Sequence, residues 1–256
     1  LPKTTNKAPA ILYCHWHGGE YDRGKVELVR TNHSPQEPGP TLAARGFAVL
    51  AIDAYCFGER NGLTPDGQRG GAGELSASKF NLWLGRTLWG MILRDDLIAL
   101  DYLASRPEVD AARLGVTGIS MGATRSWWLM ALDERLKAGV AVACLTRYQD
   151  LIRAGGLKYH GIYYYVPGML RHFDTEAVIA CAAPRALLCL NGDQDAGSPV
   201  GGIHAIEEAV RPAWRVWNRE DSFRSVVYPG VGHAYTPAMW DEMLGWMDRH
   251  LKPPSR

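Results

Sequence analysis

One short stretch, residues 114–123, restricts the fold of this chain more than any other. An apolar run, Leu-Gly-Val-Thr, leads into Gly-Ile-Ser-Met-Gly at 118–122 and then into a helical pattern. This order predicts a strand, a sharp turn and a helix, with Ser120 at the turn. In such a turn the backbone passes so close to the preceding strand that side chains at Gly118 and Gly122 would clash. The turn therefore exposes the serine hydroxyl, as a nucleophile requires.

Length and charge narrow the class of protein further. The chain has 256 residues and a net charge of +1, its basic and acidic residues are interspersed, and no linker rich in Pro, Gly or Ser divides it. We therefore expect a single α/β domain over 1–256 that acts on a small molecule. Binding to nucleic acid or to a membrane surface by bulk charge is not expected. The sequence has no apolar run long enough for a membrane span.

The cysteines and the first residue bear on the cellular compartment. The five cysteines lie mostly in apolar, strand-like runs, which predicts buried thiols and favours a reducing, cytoplasmic compartment; they are Cys14, Cys56, Cys144, Cys181 and Cys189. The chain begins with Leu1 and shows no signal peptide, so we expect further residues upstream, where targeting would be encoded. The cellular location is therefore left open. The sequence does not indicate the oligomeric state either.

Strand and helix patterns alternate along the whole chain. Continuous apolar runs predict five further buried strands, at 10–14, 47–53, 138–144, 185–190 and 226–228. Helical spacing predicts helices near 90–107, 124–135 and 237–251. Residues 61–73 are rich in Gly, Asp and Pro and should form an exposed excursion. The alternation predicts a mostly parallel central sheet with helices on both faces.

The first strand leads into a loop rich in histidine and glycine, His-Trp-His-Gly-Gly-Glu-Tyr at 15–21. Glycines let backbone N–H groups turn towards an incoming oxygen, as an oxyanion hole requires. We predict that His17 or Gly18 supplies one such donor and that Met121, directly after the serine, supplies the other. A turn with two structural histidines, or a metal shared by His15 and His17, is the alternative, although no further metal-ligand motif accompanies the pair.

The Gly-x-Ser-x-Gly pattern alone also fits an unrelated glycine turn, so the partners of the serine decide its interpretation. A serine nucleophile needs a base, and the base needs a carboxylate. Asp193 and Asp195 both follow the strand at 185–190. We favour Asp195, because it lies further along the loop, where it can turn towards a histidine. Glu220 and Asp221 are less favoured candidates.

His233 is the predicted base. It lies in a glycine-flanked loop after the last strand, unlike His204 and unlike His250, which falls in the last predicted helix. The serine, Asp195 and His233 thus follow one another in the order of the α/β-hydrolase fold, each after a strand. Asp53 also follows a strand, but it precedes the serine in the chain, so we interpret it as organising the loop near the site.

Residues 146–175 depart from the alternation and are dense in aromatic side chains and histidines. We expect a lid-like insertion over the active edge of the sheet, with an apolar wall for an acyl or aryl group. A packed surface subdomain without substrate contact is the alternative. From this insertion and the neighbouring segments we predict four pocket residues, which are Trp16, Tyr55, Trp127 and Tyr164.

Several of these segments together resemble the serine esterases of the α/β-hydrolase superfamily, in its dienelactone hydrolase and acetyl-xylan-esterase-like branch. The segments are HWHGGEY, DAYCFGER, GISMGATRSWW, HGIYYYVPGML, NGDQD and GVGHAY, spread over nearly the whole chain. The resemblance implies hydrolysis of a small-molecule ester through a covalent acyl-serine, without metal or organic cofactor. Dienelactone hydrolases proper have a cysteine nucleophile where this chain has Ser120, so lactone specificity is not implied.

Two other functions stay open at this point. A serine peptidase of the prolyl-oligopeptidase type resembles this chain in fold and residue order, although such enzymes usually carry an additional large domain that selects peptides. The other is a binding protein that keeps the hydrolase fold without catalysis. The complete set of Ser120, Asp195 and His233 argues against a pure binder, which would need none of the three.

Overall fold

Six parallel strands form the central sheet of this chain, whose computed structural model describes residues 1–3 and 6–252. The strands are β1 (Ala8–Cys14), β2 (Ala48–Leu50), β3 (Val109–Ile119), β4 (Leu136–Val142), β5 (Ala186–Gly192) and β6 (Phe223–Tyr228). Their order across the sheet is β2-β1-β3-β4-β5-β6, and each neighbouring pair is parallel. The predicted mostly parallel sheet is confirmed.

Helices cover both faces of the sheet, also as predicted. Within the described residues the α-helices are α1 (Pro38–Ala44), α2 (Gly70–Trp83), α3 (Leu88–Ser105), α4 (Met121–Leu132), α5 (Tyr148–Arg153), α6 (Thr175–Ala180), α7 (Val200–Arg215) and α8 (Pro237–Leu251). Helices α1 and α8 bury their apolar side chains on one face, and α3, α4, α6 and α7 on the other. None of these helices has the length and apolar character needed to cross a lipid bilayer.

The edge strand β2 is shorter than the predicted run at 47–53. Only residues 48–50 pair with β1, because the chain then turns away around the carboxylate of Asp53. That carboxylate accepts hydrogen bonds from the backbone N–H of Lys25 at 2.7 Å and from that of Glu59 at 3.1 Å, and its Oδ2 also binds the Lys25 ammonium. Asp53 therefore organises this loop, as expected from its position before the serine.

Helix α2, which like α5, α6 and α7 was not predicted from sequence periodicity, begins inside the expected excursion at 61–73. Its pattern is inverted with respect to an ordinary surface helix. Large apolar side chains are exposed on it, namely Leu75, Phe80, Leu82 and Trp83. The buried residues are small or polar, namely Gly73, Glu74, Ala77, Ser78 and Asn81. A search for an apolar stripe cannot detect such a helix, because the apolar stripe faces solvent.

The turn between β3 and α4 has the strained backbone that its sequence predicts. Ser120 has φ 59° and ψ −117°, a left-handed conformation that L-residues rarely adopt. A Cβ atom on Gly118 would lie 2.2 Å from the carbonyl oxygen of Cys14, and a Cβ on Gly122 would lie 2.0 Å from the same oxygen. The closest approach is thus to the end of the neighbouring strand β1. The expected approach to the strand that precedes the serine is also present, since a Cβ on Gly118 in β3 would lie 2.8 Å from the Cα of Gly122.

Residues 146–175 form an insertion between β4 and β5. It contains α5, three short 3-10 turns (Gly156–Tyr159, Ile162–Tyr164 and Met169–Arg171) and the start of α6. The outer side of the insertion is rich in exposed apolar groups, whereas Tyr163, Tyr164 and Met169 are buried. The insertion is therefore packed onto the domain by its aromatic residues.

Two helical glycines provide a test of the close approach. We expect Gly122→Ala to lower the free energy of unfolding by on the order of 2–3 kcal/mol, because its Cβ would overlap the fixed carbonyl of Cys14. Gly245→Ala in α8, where a Cβ would meet no atom within 4 Å, should raise that free energy by about 0.5–1 kcal/mol. Urea unfolding of the two variants checks both signs, and equal shifts would contradict the steric account.

Candidate active site

Three loops at one edge of the sheet bring Ser120, His233 and Asp195 into a single chain of hydrogen bonds. The serine Oγ lies 2.9 Å from His233 Nε2, and His233 Nδ1 lies 2.7 Å from Asp195 Oδ2. Ser120 follows β3, Asp195 follows β5 and His233 follows β6. The carboxyl ends of parallel strands meet at the same edge, which is why residues so distant in sequence converge.

The hydrogen bonds of Asp195 determine where the protons lie in this row of three side chains. The side chain of Asp195 is 4% exposed, and its Oδ1 accepts the Gly197 N–H at 2.9 Å. Burial alone would raise the pKa of the Asp195 carboxyl, but the hydrogen bond and charge of His233, with the Gly197 N–H, hold that pKa below its usual value. The carboxylate thus keeps the histidine proton on Nδ1 and leaves Nε2 free to accept the serine proton.

The other candidate acids and bases lie away from this chain of hydrogen bonds. Asp193 Oδ1 accepts the backbone N–H of Gly230 at 2.7 Å. His204 pairs with Glu207 on the surface of α7, and the ring of His250 packs against Trp246 in α8. The two remaining acids stand in a 3-10 turn before β6, and each lies 3.9 Å from an arginine; they are Glu220 and Asp221.

Backbone N–H groups that could bind an oxyanion also occur at this edge. Met121 is the first residue of α4, where N–H groups have no partner within the helix. In the loop after β1, Trp16 donates its N–H to Glu27 and Gly19 donates to His17 Nδ1. Across residues 1–3 and 6–252, the N–H groups of His17 and Gly18 have no acceptor. Both alternatives that the sequence offered for the loop donor, His17 and Gly18, therefore have an N–H without an acceptor among the described residues.

The loop after β1 is hydrogen-bonded to a buried carboxylate that the sequence did not predict. Glu27 is 1% exposed; its Oε1 accepts the Tyr13 hydroxyl at 2.5 Å and its Oε2 accepts the Trp16 N–H at 2.9 Å. Burial raises the pKa of Glu27, and these two donors oppose that shift. A single glutamate in a 3-10 turn gives no sequence signal of this role.

His15 is a structural residue of the same loop. Its Nδ1 donates to the Trp16 carbonyl at 2.7 Å, and its Nε2 accepts the Ala54 N–H at 3.0 Å. Burial lowers the pKa of His15 to about 3, with the nearby Arg125 guanidinium acting in the same direction. Both nitrogens are thus occupied by the protein, and no group of three or more His, Cys, Asp or Glu residues within the described ranges could hold a metal ion.

A fully buried ion pair lies beneath the turn that carries the serine. Arg125 in α4 and Asp96 in α3 form two hydrogen bonds of 2.8 and 2.5 Å, and both side chains are 0% exposed. Removing one partner of such a pair leaves an uncompensated buried charge. The pair therefore fixes α4, and with it the serine, against α3.

A cavity of about 530 Å³ opens at the serine. Its wall has two parts, one from the loops at the strand ends and one from the insertion at 146–175. The first part includes Trp16, His17 and residues 194–197, and the second includes residues 158–161 and Tyr163. The insertion therefore borders the same cavity as the serine.

Of the four predicted pocket residues, Trp16 lines this cavity and the other three do not. Trp127 is fully buried in the core, and its indole N–H donates to the Cys144 carbonyl at 3.2 Å. Tyr55 donates its hydroxyl to the carbonyl of Leu63 in the excursion. These two predictions are corrected, because each side chain is hydrogen-bonded to backbone outside the cavity wall.

Tyr164 lies behind the cavity wall, where it supports His160. The two rings stack with centroids 4.7 Å apart, and Tyr164 borders a separate apolar cavity of about 180 Å³. Burial lowers the pKa of His160, so the ring stays neutral and its Nε2–H donates to the Gly197 carbonyl at 2.8 Å. Because Gly197 also donates its N–H to Asp195, the insertion is hydrogen-bonded to the loop of the acid.

Comparisons with known proteins show a family and a similar solved structure. The model of the Dienelactone hydrolase family matches residues 31–242. YtaP of Bacillus subtilis (strain 168), a protein named as a hydrolase, is 36% identical over 251 residues, which cover 97% of this chain and 81% of that protein. A Yersinia pestis protein named as a carboxymethylenebutenolidase is 28% identical over 98% of this chain and 86% of its own length. Acetyl Xylan Esterase 1 from Thermoanaerobacterium sp. JW/SL YS485 has a similar structure, with TM-score 0.64 and 22% identity over 98% of this chain and 77% of that chain.

The choice between the two aspartates can be tested by the reactivity of the serine. We expect Asp195→Asn to slow labelling of Ser120 by a fluorophosphonate about 10³–10⁴-fold, because an amide no longer fixes the tautomer of His233. Asp193→Asn keeps an oxygen that can accept the Gly230 N–H, so its labelling rate should stay within about threefold of wild type. A larger loss in the Asp193 variant would reverse the assignment.

The neutral, buried His15 predicts a pH dependence of stability. Its pKa is about 3 in the folded protein against an ordinary value of 6.5, so between these values the unfolded chain binds the proton and the folded one does not. Stability should therefore fall as the pH drops from about 6.5 towards 3, by up to about 1.4 kcal/mol per pH unit for this one proton. Urea unfolding across this pH range measures the free energy of unfolding at each pH. This free energy should change less steeply with pH in His15→Gln than in wild type, and an equal change in both proteins contradicts the prediction.

Proposed function

This chain belongs to the dienelactone hydrolase family, and on that basis we propose that it is a serine carboxylesterase that hydrolyses small acyl or aryl esters through an acyl-serine. The observation that carries the proposal is the continuous hydrogen-bond chain from Ser120 through His233 to Asp195. A serine hydroxyl is a weak nucleophile at neutral pH and becomes effective when a base accepts its proton during attack. The carboxylate behind His233 stabilises the charge that this transfer creates.

In the first half-reaction the serine becomes acylated. His233 Nε2 takes the proton of the Ser120 hydroxyl as the oxygen attacks the ester carbonyl, and the carbonyl oxygen becomes an oxyanion. The N–H of Met121 and a free N–H of the loop after β1, from His17 or Gly18, donate hydrogen bonds to it. When the tetrahedral intermediate breaks down, His233 gives its proton to the departing alcohol.

In the second half-reaction water releases the acid. His233, neutral again, accepts a proton from a water molecule as that water attacks the acyl-serine carbonyl. The same N–H groups bind the second oxyanion, and the histidine then returns the proton to the serine oxygen. The enzyme ends as it began, with the carboxylic acid as the second product.

The size and lining of the cavity support a small substrate. About 530 Å³ falls in the lower half of the range for small-molecule sites. Aromatic and imidazole rings dominate its wall, including those of Trp16, His17, Tyr159, His160 and Tyr163. Such a wall favours a compact acyl or aryl group over a long flexible chain.

Hydrolysis of p-nitrophenyl esters from acetate to octanoate tests the proposal. We expect the wild type to prefer short acyl chains and Ser120→Ala to lose about 10⁴-fold or more in kcat, because the nucleophile is absent. Ser105→Ala is the matched control, since its hydroxyl lies at the exposed end of α3 and only caps the Tyr102 carbonyl.

Three outcomes would contradict the proposal in different ways. Retained activity in Ser120→Ala excludes the acyl-serine. Cleavage of peptide anilides in place of all the esters points to a peptidase of the prolyl-oligopeptidase type. Failure of a fluorophosphonate to label Ser120 points to a binding protein that keeps the fold without catalysis.

A further inference from the structure

A second histidine–carboxylate pair borders the same cavity, and the mechanism above does not use it. Glu74, on the inverted helix α2, has a side chain that is 4% exposed. Its Oε2 lies 2.7 Å from His17 Nε2 and accepts the Tyr21 hydroxyl at 3.3 Å. Among residues 1–3 and 6–252 no lysine or arginine pairs with this carboxylate. Burying a carboxylate without a lysine or arginine partner costs free energy, so this carboxylate depends on its hydrogen bonds to His17 and Tyr21.

The hydrogen bonds of His17 define its tautomer. The Gly19 N–H donates to Nδ1 at 3.1 Å, so Nδ1 carries a lone pair and the ring proton is on Nε2. The Nε2–H therefore donates to Glu74. Both ring nitrogens are occupied by the protein, and neither can act as a base towards a substrate. The imidazole instead links the carboxylate to the backbone of the loop after β1.

Besides this link, the Glu20 N–H donates to the His17 carbonyl at 2.9 Å, and the two residues that follow His17 are glycines. Gly18 and Gly19 have φ of +50° and +76°, conformations that glycine adopts without a side-chain penalty and leaves with equal ease. The ring of His17 stacks on Tyr163 at 4.9 Å, which fixes its plane. Glu27 holds Trp16 on the other side. Two buried carboxylates thus restrain the loop with the free N–H groups. Glu27 binds the Trp16 N–H, and Glu74 binds the His17 ring.

We propose that Glu74 is a positioning residue that acts through the imidazole of His17 to hold the N–H groups of His17 and Gly18 where the oxyanion forms. This inference rests on the proposed ester hydrolysis and assigns to it a residue from outside the three catalytic loops. Donors fixed in advance stabilise charge that develops only in the transition state, so their loss lowers kcat more than it raises KM.

Paired variants of Glu74 test the inference. Glu74→Ala should lower kcat about 10- to 100-fold with KM within about threefold of wild type, because the loop donors lose their alignment. Glu74→Gln keeps an oxygen that accepts the Nε2–H and should recover most of the loss. The affinity for a trifluoromethyl ketone, which adds to a serine hydroxyl to give an anionic hemiketal, should fall in step with kcat/KM. Glu207→Ala, which breaks the surface pair with His204, is the matched control and should leave these values unchanged.

Variants of His17 test the inference without relying on Glu74→Ala alone. His17→Phe keeps a ring to stack on Tyr163 but removes both nitrogens, and it should cause the same loss as Glu74→Ala. Because the two residues act as one unit, the double variant should lose no more than either single variant. Additive losses, a rise in KM without a fall in kcat, or equal losses in the Gln and Ala variants of Glu74 would overturn the inference.

Failure of the proposed function would give a different result. If the wild type hydrolyses no ester while a fluorophosphonate still labels Ser120, the esterase proposal fails. The labelling rates of the Glu74 variants then still test the positioning role, since the phosphonyl oxygen enters the same oxyanion position. Equal labelling of wild type and Glu74→Ala would overturn the inference in either case.

Discussion

The contact of the Cys14 carbonyl with the backbone of Gly118 and Gly122 is the constraint on which the rest of the site depends. Strand β1 ends at Cys14, and the loop with the free N–H groups begins at the next residue. The distance between Ser120 and that loop is therefore set by main-chain atoms of two adjacent strands. Because no side chain lies between them, the spacing is insensitive to rotamer changes, and the strained backbone of Ser120 is held by the sheet itself.

Around this contact the chain places carboxylates that have almost no access to water. Glu27 and Glu74 hold the loop after β1, Asp96 holds Arg125 beneath the helix of the serine, and Asp195 holds His233. A buried carboxylate is tolerated where donors satisfy its oxygens, and these four carboxylates bind three parts of the site: the loop after β1, helix α4 and His233. The site is consequently rigid through directional hydrogen bonds in addition to apolar packing.

The sequence predicted the parts of the site that depend on strand ends. The turn at Ser120 and the loops with Asp195 and His233 follow buried apolar runs, and parallel strands bring such loops to one edge. Helix α2 was not predicted because its polar residues face inward, so Glu74 could not be found from periodicity. The directions of aromatic side chains were not predictable either: Trp127 lies on the helix of the serine, but its rotation about the helix axis directs it into the core.

Two hydrogen bonds connect the insertion at 146–175 to the loop of Asp195. His160 donates to the carbonyl of Gly197, and the Gly197 N–H donates to the Asp195 carboxylate. A segment that borders the cavity at Ser120 is thus linked, through Gly197, to the carboxylate that binds His233. In an evolving family, such a segment is not an interchangeable module. A graft of this insertion onto a homologous scaffold keeps these hydrogen bonds only if the loop of Asp195 comes with it, so the shape of the cavity and the position of Asp195 are coupled.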